Sequence, residues 1–330
     1  MPIRPSLTES HISQALTDVA VAWDQKATSF VANAAAAKVP VDNESDSYIV
    51  FGQFDHARDQ AKPRMPGDTA AEAGFSASTG TYTCKRYDLQ KCIPDRLRRG
   101  SAFDQDSAAT QWLMNQLNIS REARFIADYG VTGKWGSNEL DCAGSTHVWD
   151  DATNGDPITD VATGRRAVKL GSFQDPNVFV VGYDVHAAIK KNPLVLERVK
   201  YVAGTAYNLA IAPRNESAAV LAAMFEVDKY VIGSAVYSTD PEGTSSPTYQ
   251  FMFEHCALLM YVSPTPDTTV PSALYNFTLR GFGDNDSGIR IKRYRSDGRE
   301  GDIIEAAYCE DIKQVSAACG YFFDNAVTDL

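Results

Sequence analysis

Three groupings in the sequence carry residue types with chemical potential. Cys142, His147, Asp150 and Asp151 fall in one short stretch and supply both soft and hard metal donors. Zinc sites space their ligands as C-x-x-C or H-x-x-x-H clamps, and neither clamp occurs, so plain core and surface placement is the simpler reading. His255 and Cys256 are adjacent in a strand-like segment, which sends their side chains to opposite faces. The run "GFGDNDSG" at 281–288 alternates Asp284 and Asp286 as a calcium loop would. It lacks the bidentate glutamate and joins two strand-like segments, where Gly, Asn and Asp are what a β-turn requires. No G-x-S-x-G elbow, phosphate loop or strand-borne G-x-G-x-x-G occurs. Five histidines in 330 residues leave general acid–base chemistry little material. The residues therefore predict no catalytic centre, no metal and no cofactor.

Composition narrows the remaining classes. Hydrophobic residues make up 44% and charged residues 22%, the balance of a globular chain with a sizeable core. A net charge of −11 argues against a dedicated nucleic-acid binder, which needs a basic footprint. Charge is uneven, however. Between Asp55 and Arg99, nine Lys/Arg face six Asp/Glu, so the rest of the chain carries −14. A basic segment on an acidic body suits contact with a second copy. Six cysteines are too few for a disulfide scaffold of this length. The first residues lack the apolar core and cleavage site of a secretion signal, which makes the sequons at Asn43, Asn118, Asn215, Asn276 and Asn285 irrelevant. No apolar run is long enough to span a membrane. The expectation is folding in a reducing cytoplasm with free thiols.

The elements that would position any function follow from periodicity. Ile12, Leu16, Val19, Trp23, Ala27, Phe30 and Val31 recur at helical spacing and predict a helical arm over 8–38, ended by "VPVD". Strands are predicted at 47–54 and 79–89. Between them lies "ARDQAKPRMPGDTAAEAGFSASTGTYT" (57–83), rich in Gly, Pro, Ala, Ser and Thr and too poor in large apolar residues to bury a core. Connections this long inside a compact domain are uncommon and usually functional or disordered, so a long two-stranded arm with a flexible tip is expected. A long helix over 104–129 follows, with Asp104 or Asp106 as N-cap and Gly130 or Gly133 closing it. Helices near 158–170, 185–191, 194–202 and 217–225 and strands at 178–182 and 229–237 come next. Strands then dominate, at 249–262, 275–282, 289–294 and 303–315. No internal repeat is present.

The ordered set of segments carries a resemblance. "KVPVDNESDSYIVF", "RDQAKPRMPG", "TYTCKRYDLQKCIPD", "DQDSAATQWLMNQLNISREARFIADYG" and "VTGKWG" are followed by "WDDATNGDPITDVATGRRAV", "PNVFVVGYDVHAAIKKNPLVLERVKYV", "ALLMYVSPTPDTTVPSALYNFTLRG", "GIRIKRYR" and "GYFFDNAV". Together they resemble the major capsid proteins of tailed double-stranded DNA bacteriophages, over nearly the whole chain after about residue 6. Order and spacing carry the likeness, not any single segment. The resemblance implies an α+β, Hong Kong-97-like capsid fold. It implies an N-terminal arm at 1–45, an extended loop at 46–95 and a peripheral domain at 96–175 with its spine helix at 104–130. An axial domain at 176–271 and strands returning to the peripheral domain at 272–330 complete it.

What the resemblance implies about function is structural. Copies form pentamers and hexamers that tile an icosahedral shell around double-stranded DNA, held without sequence-specific binding. The extended loop lies across the adjacent subunit, and Arg58, Lys62, Arg64, Lys85 and Arg86 are its expected inter-subunit contacts. A portal protein is an implied partner, with separate scaffolding and decoration proteins as further ones. The implied location is the virion, assembled in the host bacterial cytoplasm, with no membrane involved. Some family members carry a long N-terminal scaffolding segment that this sequence lacks, so a separate scaffolding protein, or none, is expected. Others cross-link Lys to Asn, but no motif here carries that chemistry over to Lys62, Lys85 or Lys91. The alternatives are an encapsulin-like nanocompartment shell and, in another class, a soluble α/β enzyme.

Overall fold

The computed structural model describes residues 25–100, 104–145, 147–203, 209–266, 270–282 and 288–328. In chain order its strands are Ala37–Val41 (β1), Ser45–Phe51 (β2), Ala77–Thr83 (β3), Lys85–Pro94 (β4), Glu139–Asp141 (β5), Val178–Gly182 (β6), Lys229–Gly233 (β7), Val236–Tyr237 (β8), Gln250–Phe251 (β9), Ala257–Met260 (β10), Leu274–Leu279 (β11), Ile289–Ser296 (β12), Gly301–Gln314 (β13) and Gly320–Asp324 (β14).

Two five-stranded sheets organise the body. One has the order β5-β14-β10-β6-β7, parallel at both ends and antiparallel in the middle. Its central sequences, "VFVVG" and "ALLM", are continuous apolar runs, the signature of strands buried on both faces. Alternate residues serve two cores. Phe179, Val181, Ala257, Leu259, Tyr321 and Phe323 face one with helices Pro157–Ser172, Tyr183–Lys191 and Arg214–Phe225, while Val178, Val180, Leu258, Met260 and Phe322 face the other. The second sheet runs β1-β11-β13-β12, and β4 also pairs along β13 from Gly301↔Pro94 to Glu310↔Lys85.

A single helix, Gln105–Tyr129, joins the sheets. Asp104 caps it by accepting the Asp106 N–H (3.0 Å), and the Gly130 N–H closes it on the Ile126 carbonyl (2.9 Å). Its 25 residues make a rod of about 38 Å at 1.5 Å per residue. Ala109, Leu113 and Leu117, spaced four apart, pack on Ile93, Ile304, Ala306 and Tyr308 of β4 and β13. About two and three turns further on, Phe125 and Tyr129 enter the core beneath β6 and β10.

A buried polar knot fixes the crossing. Arg121 grips Glu310 of β13 with both fork nitrogens (2.6 and 2.7 Å) and donates to Asn33 (2.7 Å). Asn276 of β11 also donates to Glu310 (3.1 Å), and the Arg121 guanidinium lies 4.0 Å from the Tyr308 ring centroid. Burial, together with the field of Arg121, lowers the Lys38 amine on the neighbouring β1.

Several expectations change, among them the strand over 229–237, which is two: β7 pairs with β6 and β8 with β9. Of the arm expected as helix over 8–38, residues 8–24 lie outside the described residues. The remainder is a 3-10 turn (Ala27–Ser29), a short helix (Ala32–Ala35) and β1, parallel to β11. β-branched Val39 and Val41 favour a strand, and Pro40 is tolerated because β1 is the sheet's edge. The expected strand over 79–89 is two, broken at Cys84: β3 pairs with β2 and β4 with β13. The expected strand over 249–262 is also interrupted. His255 takes a left-handed backbone (φ 52°) between β9 and β10, so it and Cys256 are not strand neighbours. The turn seats Phe253 against Gly182 and Gly233, where a side chain on either glycine would collide.

Candidate subunit interface

β2 and β3 form an antiparallel hairpin, Ser45↔Thr83 to Phe51↔Ala77, that projects as a finger. Seven residues at about 3.3 Å each carry its tip roughly 23 Å from its root. The root is bolted to the body. Tyr82 stacks on Phe277 of β11 (4.4 Å between centroids, 12° between planes), and Tyr48 stacks beside it (5.5 Å). Tyr48 lies across Gly80, its cross-strand partner, where an added Cβ would sit 2.4 Å from the ring. The Thr83 N–H donates to the Asp311 carboxylate (2.8 Å) and the Cys84 N–H to the Glu44 carbonyl (2.7 Å). Burial raises the Tyr48 and Tyr82 hydroxyls, leaving both neutral at physiological pH.

The tip is different in kind. After a one-turn helix (Gln53–Ala57), residues 58–76 contain no helix or strand, and nearly all are exposed. The loop is closed at its neck, where the Asp55 carboxylate accepts from the Ser76 hydroxyl (2.6 Å) and N–H (2.7 Å), which holds that carboxyl below its usual range. Phe51 meets Phe75 and His56 edge-on at the same neck. Along the finger and its loop, Ile49 (65%), Phe54 (70%), Met65 (73%) and Phe75 (70%) stand exposed. Four large apolar side chains exposed on one projection are the kind of surface that marks an interaction site.

The sequence-expected contact residues divide. Arg58, Lys62 and Arg64 lie on the exposed tip, with Arg58 5.6 Å over the Phe54 ring. Lys85 and Arg86 lie on β4, beyond the finger's root. Arg86 is committed to its own chain, paired with Asp88 (2.7 Å) and Glu305 (2.8 Å) and set over Phe282. The surplus of positive charge over 55–99 is likewise not on the tip. There Arg58, Lys62 and Arg64 are offset by Asp55, Asp59, Asp68 and Glu72, and the excess belongs to β4 and the helix Asp95–Gly100. Arg98 in that helix is itself paired, with Asp106 and Asp302 (both 2.7 Å). The exposed apolar side chains of the finger were missed from sequence, and the neck is legible only once Phe51 and Phe75 are seen to meet.

The residues that raised metal chemistry do not gather into a ligand set, although His147 is exposed near Asp151 and its charge acts on that carboxylate. Cys142 is buried in the core around Trp149, Asp150 contacts Thr328, and Asp151 closes a turn by accepting from Thr153 and Asn154. Among the described residues no cluster of three or more His, Cys, Asp or Glu could hold a metal ion. Residues 283–287 of the calcium-like run lie outside the described residues. The described glycines on either side, Gly281 (φ 72°) and Gly288 (φ 68°), take a left-handed backbone. Among the described residues no helix is long and apolar enough to cross a membrane.

No family model matches the chain. The major capsid protein of Burkholderia phage BcepMu is 24% identical over 158 residues, which is 47% of this chain and 48% of that protein, so the match spans about half the curated relative's length. Among solved structures, a phage-related protein of Bordetella bronchiseptica RB50 superposes with a TM-score of 0.67 at 19% identity, over 92% of this chain and 94% of that one. The capsid of Cyanophage P-SCSP1u superposes with a TM-score of 0.56 at 10% identity, over 93% and 90%. The α+β fold of this chain is the fold of those proteins.

Proposed function

We propose that this chain is the major capsid protein of a tailed double-stranded DNA phage. Copies of it assemble into pentamers and hexamers and close as an icosahedral shell. The single observation that carries this reading is the finger: a hairpin bolted at its root, with an apolar tip that finds no partner core in its own chain. The capsid relative and the capsid superposition support a structural role.

Magnitudes decide what drives the contact. Burying a large apolar side chain contributes about 1.5–3 kcal/mol, while an exposed ion pair contributes about 0–1. Ile49, Phe54, Met65 and Phe75 therefore dominate docking, and Arg58, Lys62 and Arg64 set register and salt dependence. A tip that rests on the next copy around a ring, whose own tip rests on the one after, is a heterologous contact that closes by rotation. The enclosed cargo is double-stranded DNA. The acidic balance of the chain lets phosphate pack against the shell without adhering to it, and a portal protein occupies one vertex. The product is the virion shell.

Sedimentation of the purified full-length protein tests this reading. It predicts capsomer- and shell-sized species; a single boundary at the 36.0 kDa of one chain at all concentrations and salts would overturn it.

A further inference from the structure

One chain of polar side chains pins three elements together. His186 stands on the helix Tyr183–Lys191 with 6% of its surface exposed. Its Nε2 lies 3.3 Å from the hydroxyl of Ser217, a fully buried residue on the helix Arg214–Phe225. Its Nδ1 lies 3.1 Å from the hydroxyl of Tyr230 on β7. Ser217 donates its proton to the Arg214 carbonyl at the shorter distance of 2.9 Å, so it accepts from the ring. That places the ring hydrogen on Nε2 and leaves Nδ1 bare to accept from Tyr230. Both ring nitrogens are matched, and the ring that matches them is neutral.

We propose that this chain is an acid-sensitive lock: neutral His186 holds the helix Tyr183–Lys191 against Arg214–Phe225 and β7, and protonation of the ring releases that helix. The contacts leave no place for a second ring hydrogen. On Nδ1 it would face the Tyr230 oxygen and turn the tyrosine hydrogen away, and among the described residues that hydroxyl has no other partner. The charged groups that act on the ring are Lys190, four residues along its own helix, and Arg214, and both are cations. Each is fixed beside the ring by neutral acceptors. Lys190 donates to the Ala212 carbonyl (2.8 Å), and Arg214 donates to the Ile232 carbonyl and the Ser234 hydroxyl (both 2.9 Å). Burial and these two cations lower the imidazole from an ordinary 6.5 to about 4. Tyr230 stays a neutral hydroxyl, since burial raises it well above its ordinary value. The other elements packed on this helix, β6, Pro193–Ala203 and Leu209–Ile211, share with it a core of Phe179, Val181, Val195, Val199 and Leu209, none of them titratable.

The sign follows from linkage. A released helix exposes the ring to water, where it takes its proton near 6.5, whereas the locked ring takes it only near 4. Between these values the released state binds more protons, so acid favours release. The lock is at full strength above about pH 6.5 and is lost as pH falls towards 4. This device acts within one chain and stands whether or not the chain builds a shell.

Hydrogen exchange on the full-length protein, corrected for intrinsic rates and read by mass spectrometry, tests it. Exchange of the amides at 187–191, relative to those at 113–117 of the long helix, is expected to accelerate as pH falls from about 6 to about 4.5, approaching tenfold per unit. In the double variant His186→Phe, Tyr230→Phe, which puts two apolar rings in place of the polar pair, the same ratio is expected to be flat. A flat wild-type ratio, or an equal slope in the variant, would overturn the lock. If loss of protection at 113–117 shows the variant misfolded, the wild-type ratio decides alone: a ratio that is flat or slows in acid sinks the proposal.

Discussion

Tyr82 lies flat on Phe277, with centroids 4.4 Å apart, and the same Phe277 ring carries Tyr48 at 5.5 Å. One side chain of the body thus holds both strands of the finger, which divides the projection into a fixed root and a tip that the body does not cover. Aromatic pairs contribute about 0.5–1.5 kcal/mol each beyond their burial, so Phe277→Leu should cost about 1–3 kcal/mol. The loss should concentrate at the root. Hydrogen exchange should accelerate across 45–51 and 77–83 while 178–182 stays protected. Equal acceleration in both regions would place Phe277 in the general core instead.

The tip offers a comparison of two forces. Phe54→Ser with Phe75→Ser removes apolar contact from two exposed positions and should leave the melting temperature of the single chain nearly unchanged, since neither ring is buried within it. Assembly should fail at every salt concentration. Charge reversal of Arg58, Lys62 and Arg64 to Glu should weaken assembly mainly at low salt, because exposed charges are screened within about 10 Å at 0.1 M. If the serine pair assembles normally while charge reversal abolishes particles at all salts, the ranking of forces is wrong.

The Arg121–Glu310 pair predicts a non-additive result. Arg121→Met leaves Glu310 buried with its main partner gone and should cost about 3–5 kcal/mol in urea unfolding. Adding Glu310→Leu removes the stranded charge and should recover most of that loss. Two additive losses would mean that the pair itself, and not the burial of an unpaired charge, sets the cost.

Much of the frame was legible in the sequence because local rules and tertiary demands agreed. The long helix carries Asp104 before its first turn, apolar residues four apart and Gly130 after its last, and it folds over Gln105–Tyr129. Val178–Gly182 reads as a strand from its apolar run alone. The misses arose where a partner distant in sequence decided the outcome. β1 is a strand because Tyr275–Leu279 lies ready to pair with it, and β3 and β4 separate at Cys84 because different strands receive them. The proposed contact surface was half legible. The length and composition of 57–83 identify an excursion without a core, but the meeting of Phe51 and Phe75 at its neck depends on hairpin register. Arg86 illustrates the converse, since a sequence cannot show that a cation is already paired with Glu305, 219 positions away.

Electron cryomicroscopy of particles formed by the purified full-length protein tests the central claim most directly. The account predicts closed shells in which residues 52–76 are ordered against the body of an adjacent copy, with Phe54 and Phe75 covered by it. A well-ordered monomer whose finger folds back onto its own sheets, or shells in which that tip touches no neighbour, would contradict it.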